Sequence, residues 1–525
     1  MTQQKSEDRE VPQDRRKPAA TRGVESPGGG KAVPVKEVDS QLLLPFATAE
    51  SARSFRASEG AAEADRSALA TSQAPKATGK RSIRGPAPME QVVERLELAF
   101  SHVAANRGAP GPDRQTTDQV RERLPDLLAE LGPALLAGTY RPGDIRRVWI
   151  PKSGAGQRGL GIPNVVDRMV QEAVRLVLEP LYEPTFHPSS HGFRPGRGCQ
   201  TAIAEARSYV QEGRHWVVDL DLEKFFDRVH HQRLLARLVQ RVADKRLLVL
   251  IGHMLKAKVV MPDGVKVSTE EGVPQGGPLS PLLSNIVLSE LDGELARRGH
   301  RFVRYADDCN VYVRSERAGQ RVMASLTSFI TRRLRLRVNV GKSAVARPET
   351  RHFLGYRLAP QGADRPEVLL SERSEKRLRE RIREMTPRSL GQSLEAVIER
   401  INAYVGGWLG HFRVCTSGIE RVMQSADAHI RRRLRAFLLK QWKRRRTMVR
   451  RLVRLGVAPR TAWRRVYEGR KSLWALSHDS AVDRGLRNAY FAERGLVSLL
   501  ERFKAIWASA YVPVQLLLAL DSARS

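Results

Sequence analysis

Two carboxylates stand side by side in the stretch RFVRYADDCNVYVR, at Asp307 and Asp308. The flanking residues are rich in β-formers and predict two short strands, Phe302–Tyr305 and Cys309–Val313, joined by a tight turn. Adjacent like charges raise each other's energy unless a cation shares them, and Mg2+ held by oxygen ligands is the usual solution. Asp also favours plain solvated turns, so the pair alone leaves both readings open. A carboxylate on a separate strand would favour the metal. The stretch WVVDLDL supplies one. Asp219 and Asp221 share one face of a strand predicted over Trp216–Leu222, while Val218, Leu220 and Leu222 share the other.

Other elements must hold these groups. Apolar spacing predicts helices over Met89–Ala105, Thr117–Ala137, Val165–Leu178, Cys199–Glu212 and Gln320–Arg335, with Leu98 on the packed side of the first. Ile145–Ile150 reads as a strand leading into PKSGAGQRGLGIP, a Gly-rich loop with Lys152 and Arg158. Such loops can wrap phosphates, although this one is not a Walker A sequence. Pro184–Gly198 is irregular and basic. It suits either an ordinary surface loop or a nucleic-acid loop with Phe193 and Arg194 as stackers. In EGVPQGGPLSPLLSNIVLSELD, Gly276 and Gly277 remove side chains where a neighbour must approach closely. Ser280 is then expected to cap the following helix, with Pro281 at its first position.

The whole chain has 525 residues, with 90 Lys and Arg against 57 Asp and Glu, a formal +33 and a pI near 10.8. That excess points to a polyanionic partner, nucleic acid above an anionic membrane. No apolar run is long enough to span a bilayer, and the N-terminus lacks the apolar core of a secretory signal. The three cysteines, Cys199, Cys309 and Cys415, form no CxxC pair, which leaves no disulfide framework and no zinc module. A cytoplasmic protein is expected. Residues 1–85 read as a disordered leader. From Ser371 the chain turns helical and strongly basic. His429–Gly456 contains no acid, and its one-signed charge favours polyanion binding over a merely solvated face. Leu434, Phe437, Leu438, Trp442, Met448 and Leu452 form its packing side. Trp463, Trp474, Tyr490 and Phe491 are expected in the core.

An acidic strand, a PQG loop and an acidic hairpin, in that order, have the form of a two-metal phosphoryl-transfer site. The same blocks resemble the reverse transcriptase/maturases encoded by bacterial group II introns. YADD at Tyr305–Asp308 is similar to that family's active-site hairpin, and DLEKFFD at Asp221–Asp227 to its first catalytic strand. GVPQGGPLSPLLSNI, IPKSGAGQRGLGIP, HGFRPGRG, Lys342 and FLGY fill the flanking blocks, and WLGHF and LWALS resemble the maturase region.

The resemblance implies an α+β right-hand polymerase fold, with fingers and an antiparallel palm sheet, followed by a helical thumb/maturase domain. It divides the chain into 86–215 (N-terminal extension and fingers), 216–365 (palm) and 366–525 (thumb/maturase). It implies two Mg2+ ions held by Asp221, Asp307 and Asp308 with the Leu222 carbonyl, and leaves Asp219 as a bystander. It implies Phe226 as the residue that excludes a ribose 2′-hydroxyl, with Phe225 as plain core. Gln275, Lys152, Arg158 and Lys342 would serve the incoming dNTP. Arg194, Arg431, Arg432, Arg433, Lys443, Arg444 and Arg445 would meet RNA. Intron RNA, a DNA target and a primer would be the partners, with nucleoid association during DNA work. Without paired CxxC motifs, no His-Asn-His endonuclease is expected. A domesticated reverse transcriptase in defence or repair, and a non-catalytic splicing factor, are the competing readings.

Overall fold

A computed structural model describes residues 87–151, 156–360, 366–387 and 391–508. The expected leader and Lys152 lie outside the described residues.

Among the described residues, ten strands form three sheets. They are β1 (Ile145–Pro151), β2 (Gln157–Ile162), β3 (Trp216–Leu220), β4 (Val259–Val260), β5 (Lys266–Val267), β6 (Arg301–Tyr305), β7 (Asp308–Val313), β8 (Ala344–Ala346), β9 (Tyr356–Ala359) and β10 (Glu367–Leu370). One sheet has the order β2-β1-β4-β5, and β9 pairs with β10. The central sheet has the order β6-β7-β3-β8 and is antiparallel throughout.

Alternation along the central strands decides which side each residue serves. Val218, Leu220, Phe302, Cys309 and Val311 face one core, which helices Ser280–Arg297 and Glu316–Phe329 complete. Val217, Val303 and Tyr312 face a second core, built with helix Cys199–Gln211 and the C-terminal helices. Both sides of the sheet are thus covered, which accounts for its wealth of Val. The C-terminal helices include Leu394–Phe412, Ile419–Gln441 and Arg445–Arg454, and the expected packing side of the basic stretch is buried. No helix among the described residues is long and apolar enough to cross a membrane.

Several local expectations change. The first two predicted helices each break, at Arg95 and at Arg123, where a new helix starts at Leu124 with Pro125 in its first turn. Leu98 faces solvent. Much of the expected Gly-rich loop is strand β2, paired with β1 from Gln157 to Ile162. The helix expected over 320–335 begins at Glu316 and ends as a wider π turn at Ile330–Leu334. Ser280 does not cap its helix; its hydroxyl donates to the Pro274 carbonyl (2.6 Å) and ties down the preceding loop. Trp463 is 46% exposed, so the expected core position is wrong for that residue, while Phe491 is fully buried.

Candidate active site

The register of the central sheet brings the acidic groups together. β3 pairs Leu220 with Cys309, so Asp221 and Asp308 are the next residues on facing strands. β6 pairs Tyr305 with Asp308, closing a turn over Ala306 and Asp307. Ala306 adopts φ +56°, a left-handed conformation unfavourable for a side chain. The turn therefore needs outside support.

That support comes from Arg304, a residue the sequence reading did not single out. Its side chain is wholly buried. It donates to both oxygens of Asp292 (2.7 and 2.6 Å), to Asn285 Oδ1 (3.0 Å), to Ser190 Oγ (2.6 Å) and to the Ala306 carbonyl (2.9 Å). One guanidinium thus joins the hairpin tip to helix Ser280–Arg297 and to the loop after His187. The backbone adds to this, since the His191 amide donates to the Arg304 carbonyl and the Arg304 amide to Ser189. Gly192 packs directly on the turn. A Cβ there would collide with the Ala306 amide nitrogen and lie 2.9 Å from the Tyr305 carbonyl carbon. A signal for Arg304 was present: it shares a strand face with Phe302, and a charge on a core-facing position requires a buried partner.

Asp221 is fixed by its backbone. Its amide donates to Ser343 Oγ (3.0 Å) and its carbonyl accepts from the Asn339 amide (2.8 Å). Lys342 Nζ stands 3.6 Å from its carboxylate. Leu222 bridges Val338 in isolation from the named strands. Asp219, on the same strand face, is engaged with the Arg351 guanidinium (2.9 Å). Burial raises the Asp307 carboxyl above its usual range and Asp221 adds to this, while Arg158 and Arg304 pull the other way. Asp308 keeps an exposed surface, yet the protein around its carboxyl and the charges of Asp307, Asp219 and Asp221 push it up to about 7. Lys342 opposes that rise.

This donor set suits a hard divalent cation. It offers carboxylate oxygens that repel one another and that a cation would relieve. Among the described residues no three His, Cys, Asp or Glu side chains form a ready-made metal cage.

The PQGG loop lies between the acidic strand and β2. Its Gly272 amide donates to Val229 and its Val273 amide to Phe226 (2.6 Å), while the Gln275 carbonyl accepts from Gly161 (2.7 Å). Gly276 has φ +129°, and a Cβ on it would meet the Gly161 carbonyl oxygen at 2.5 Å. The close neighbour expected at this glycine is therefore the β2 backbone. Arg158 Nε donates to Gln275 Oε1 (2.7 Å). Phe226 and Phe225 are both buried, with their rings edge to face at 5.3 Å.

The expected RNA-contacting residues divide. Arg194 is buried on Glu183 (2.9 Å) and on the carbonyls of His187 and Ser190 (2.7 Å each), so it clamps its loop and is not free to meet RNA. Phe193, at φ +59°, is partly exposed beside it. Arg433 is tied to Thr386 Oγ1 (2.8 Å) and to the carbonyls of Thr386 and Arg383. Arg445 is tied to the carbonyls of Val466 and Lys471. Both serve the fold. Arg432 lies over the Trp474 ring at 4.1 Å, Arg431 is half-buried, and Lys443 and Arg444 are exposed.

Comparison with known proteins matches two stretches of the chain. Residues 150–358 match the family described as reverse transcriptase (RNA-dependent DNA polymerase), and residues 375–455 match the group II intron, maturase-specific domain. Protein YkfC of Escherichia coli (strain K12) is 33% identical over 309 residues, covering 51% of this chain and 80% of that protein. The group II intron-encoded protein LtrA of Lactococcus lactis subsp. cremoris is 38% identical over 198 residues, covering 37% of this chain and 32% of LtrA. The putative COX1/OXI3 intron 2 protein of Saccharomyces cerevisiae is 28% identical over 324 residues, covering 50% of this chain and 38% of the relative. The chain thus spans most of the first relative and about a third of the length of the other two.

Proposed function

This chain belongs to the reverse transcriptase family whose members carry a group II intron maturase-specific domain, and from that premise we propose that it is an RNA-directed DNA polymerase that also binds its intron RNA, promoting splicing and retrohoming. In this reading residues 86–215 act as N-terminal extension and fingers, 216–365 as palm, and 366–525 as thumb and maturase region. Asp221 and Asp307 would hold Mg2+, supported by Asp308 and the Leu222 carbonyl. The chemistry Mg2+ supplies when bound is activation of the primer 3′-hydroxyl and neutralisation of the leaving pyrophosphate.

The other residues bind and orient. Arg158, Gln275 and Lys152 receive the nucleotide and its phosphates, and Lys342 adds positive charge beside Asp221. Phe226 lies under the sugar, where its bulk excludes a 2′-hydroxyl. The helical region grips RNA through residues that include Arg431, Arg432, Lys443 and Arg444. The observation that carries the reading is the sheet register: it brings Asp221 beside the Asp307–Asp308 tip, where the Arg158 charge also acts.

The test is primer extension on an RNA template with dNTPs and Mg2+. Wild type should extend, and the Asp307→Ala–Asp308→Ala chain should not, while still binding RNA. No extension by either, with tight RNA binding retained, would favour a non-catalytic splicing factor. Phe226→Val should admit ribonucleotides, lowering the dNTP preference by about tenfold or more in single-nucleotide incorporation.

A further inference from the structure

The helix Pro459–Tyr467 follows directly on the residues matched by the maturase-specific domain. Its sequence, PRTAWRRVY, turns Ala462 and Val466 into the second core. Arg460, Trp463, Arg464 and Tyr467 are spaced i, i+3, i+4 and i+7, so they form one stripe on the opposite side. All four are exposed. This inverts the usual amphipathic arrangement, because the large rings lie outside and the small residues inside.

The rings are not scattered singly. Trp463 is 46% and Tyr467 43% exposed, and they stack at 5.2 Å with 17° between their planes. The flanking charge is available. Arg465 pairs with Glu468 (3.2 Å), whereas Arg460 and Arg464 have no acidic partner among the described residues. The stripe is also held rigidly. Arg445, in the neighbouring helix Arg445–Arg454, donates to the Val466 carbonyl and to that of Lys471. That neighbour, which packs on this helix, carries Arg450, Arg451 and Arg454 exposed and adds to the local positive charge.

We propose that Arg460, Trp463, Arg464 and Tyr467 form a stacking platform for unpaired RNA, with a nucleobase on the ring pair and flanking phosphates on the two arginines. Exposed π-faces interleaved with cations suit single strands, because every base has a face to stack and every linkage a charge. Duplex RNA buries its base faces and cannot use the rings. RNA is the occupant chosen because the helix bearing the stripe packs on Arg445–Arg454, which lies within the maturase-matching residues. The inference rests on the RNA-binding part of the proposed function and not on the polymerase part.

The experiment uses the full chain and fluorescence anisotropy with labelled oligo(U), a blunt RNA duplex, and single-stranded DNA of matching length. Trp463→Ala–Tyr467→Ala should weaken oligo(U) binding about tenfold or more, the scale of losing base–aromatic stacking. It should leave duplex affinity within about twofold, and Trp463→Phe–Tyr467→Phe should restore most of the loss. Arg460→Gln–Arg464→Gln should lower the slope of log affinity against log salt by about 1.4, the value for two single-strand phosphates. Unchanged oligo(U) affinity in the Ala pair overturns the proposal, as does an equal loss on the duplex. A loss confined to DNA would assign the stripe to a DNA strand instead. A wild type that binds oligo(U) selectively through these rings but fails to extend a primer removes the polymerase reading and leaves this surface standing.

Discussion

Asp308 feels three other carboxylates, Asp307, Asp219 and Asp221, and Lys342 opposes them. Folding without a cation therefore works against this residue. Asp308→Asn should raise the melting temperature in chelator, and Mg2+ should raise that of wild type more than that of the variant. Thermal melts with EDTA or Mg2+ read both effects. Primer extension should fall about a hundredfold or more, the scale of losing a charge-stabilising group. Arg304 carries the opposite burden, a cation fully buried on Asp292. Arg304→Met leaves Asp292 buried and unpaired, at a cost of about 3–5 kcal/mol in urea denaturation. Adding Asp292→Leu should recover most of that stability. Extension should stay low in the double variant, because the Ala306 carbonyl still lacks its donor.

Among the elements, the hairpin is shaped as much by the loop that touches it as by its own strands. Gly192→Ala should displace the turn through the Ala306 amide, reducing kcat in primer extension about tenfold or more while RNA affinity holds. Much of this arrangement was legible in the sequence. The alternation in WVVDLDL and the strand–turn–strand of RFVRYADDCNVYVR gave the acidic face, because period-2 patterning is local information. The strand character of QRGLGI was not legible, because its glycines have no side chains to alternate and its partner β1 lies outside the stretch. Arg194 was misread because exposure of a loop arginine depends on a partner, Glu183, eleven residues away. Trp463 was misread because its helix spacing does not reveal which side faces the core until Val466 and Ala462 are seen to fill it.

At the scale of the molecule, the polymerase-like and maturase-like regions share the central sheet. Val217, Val303 and Tyr312 pack in one cluster with Leu378, Val397, Phe437 and other C-terminal residues. A chain truncated after Ser371 should expose that apolar face. Such a chain is expected to aggregate or to melt well below the full protein, read by light scattering and thermal denaturation. RNA affinity measured on it would report an altered fold and not merely a missing binding surface. The shared sheet also links the two halves in time. It is a party wall with a room on either side, and its middle strands cannot be reached by opening one room alone. The backbone amides of β3 and β7 should exchange their hydrogens with solvent only when both cores open together, which would set the slowest clock in the molecule on these strands.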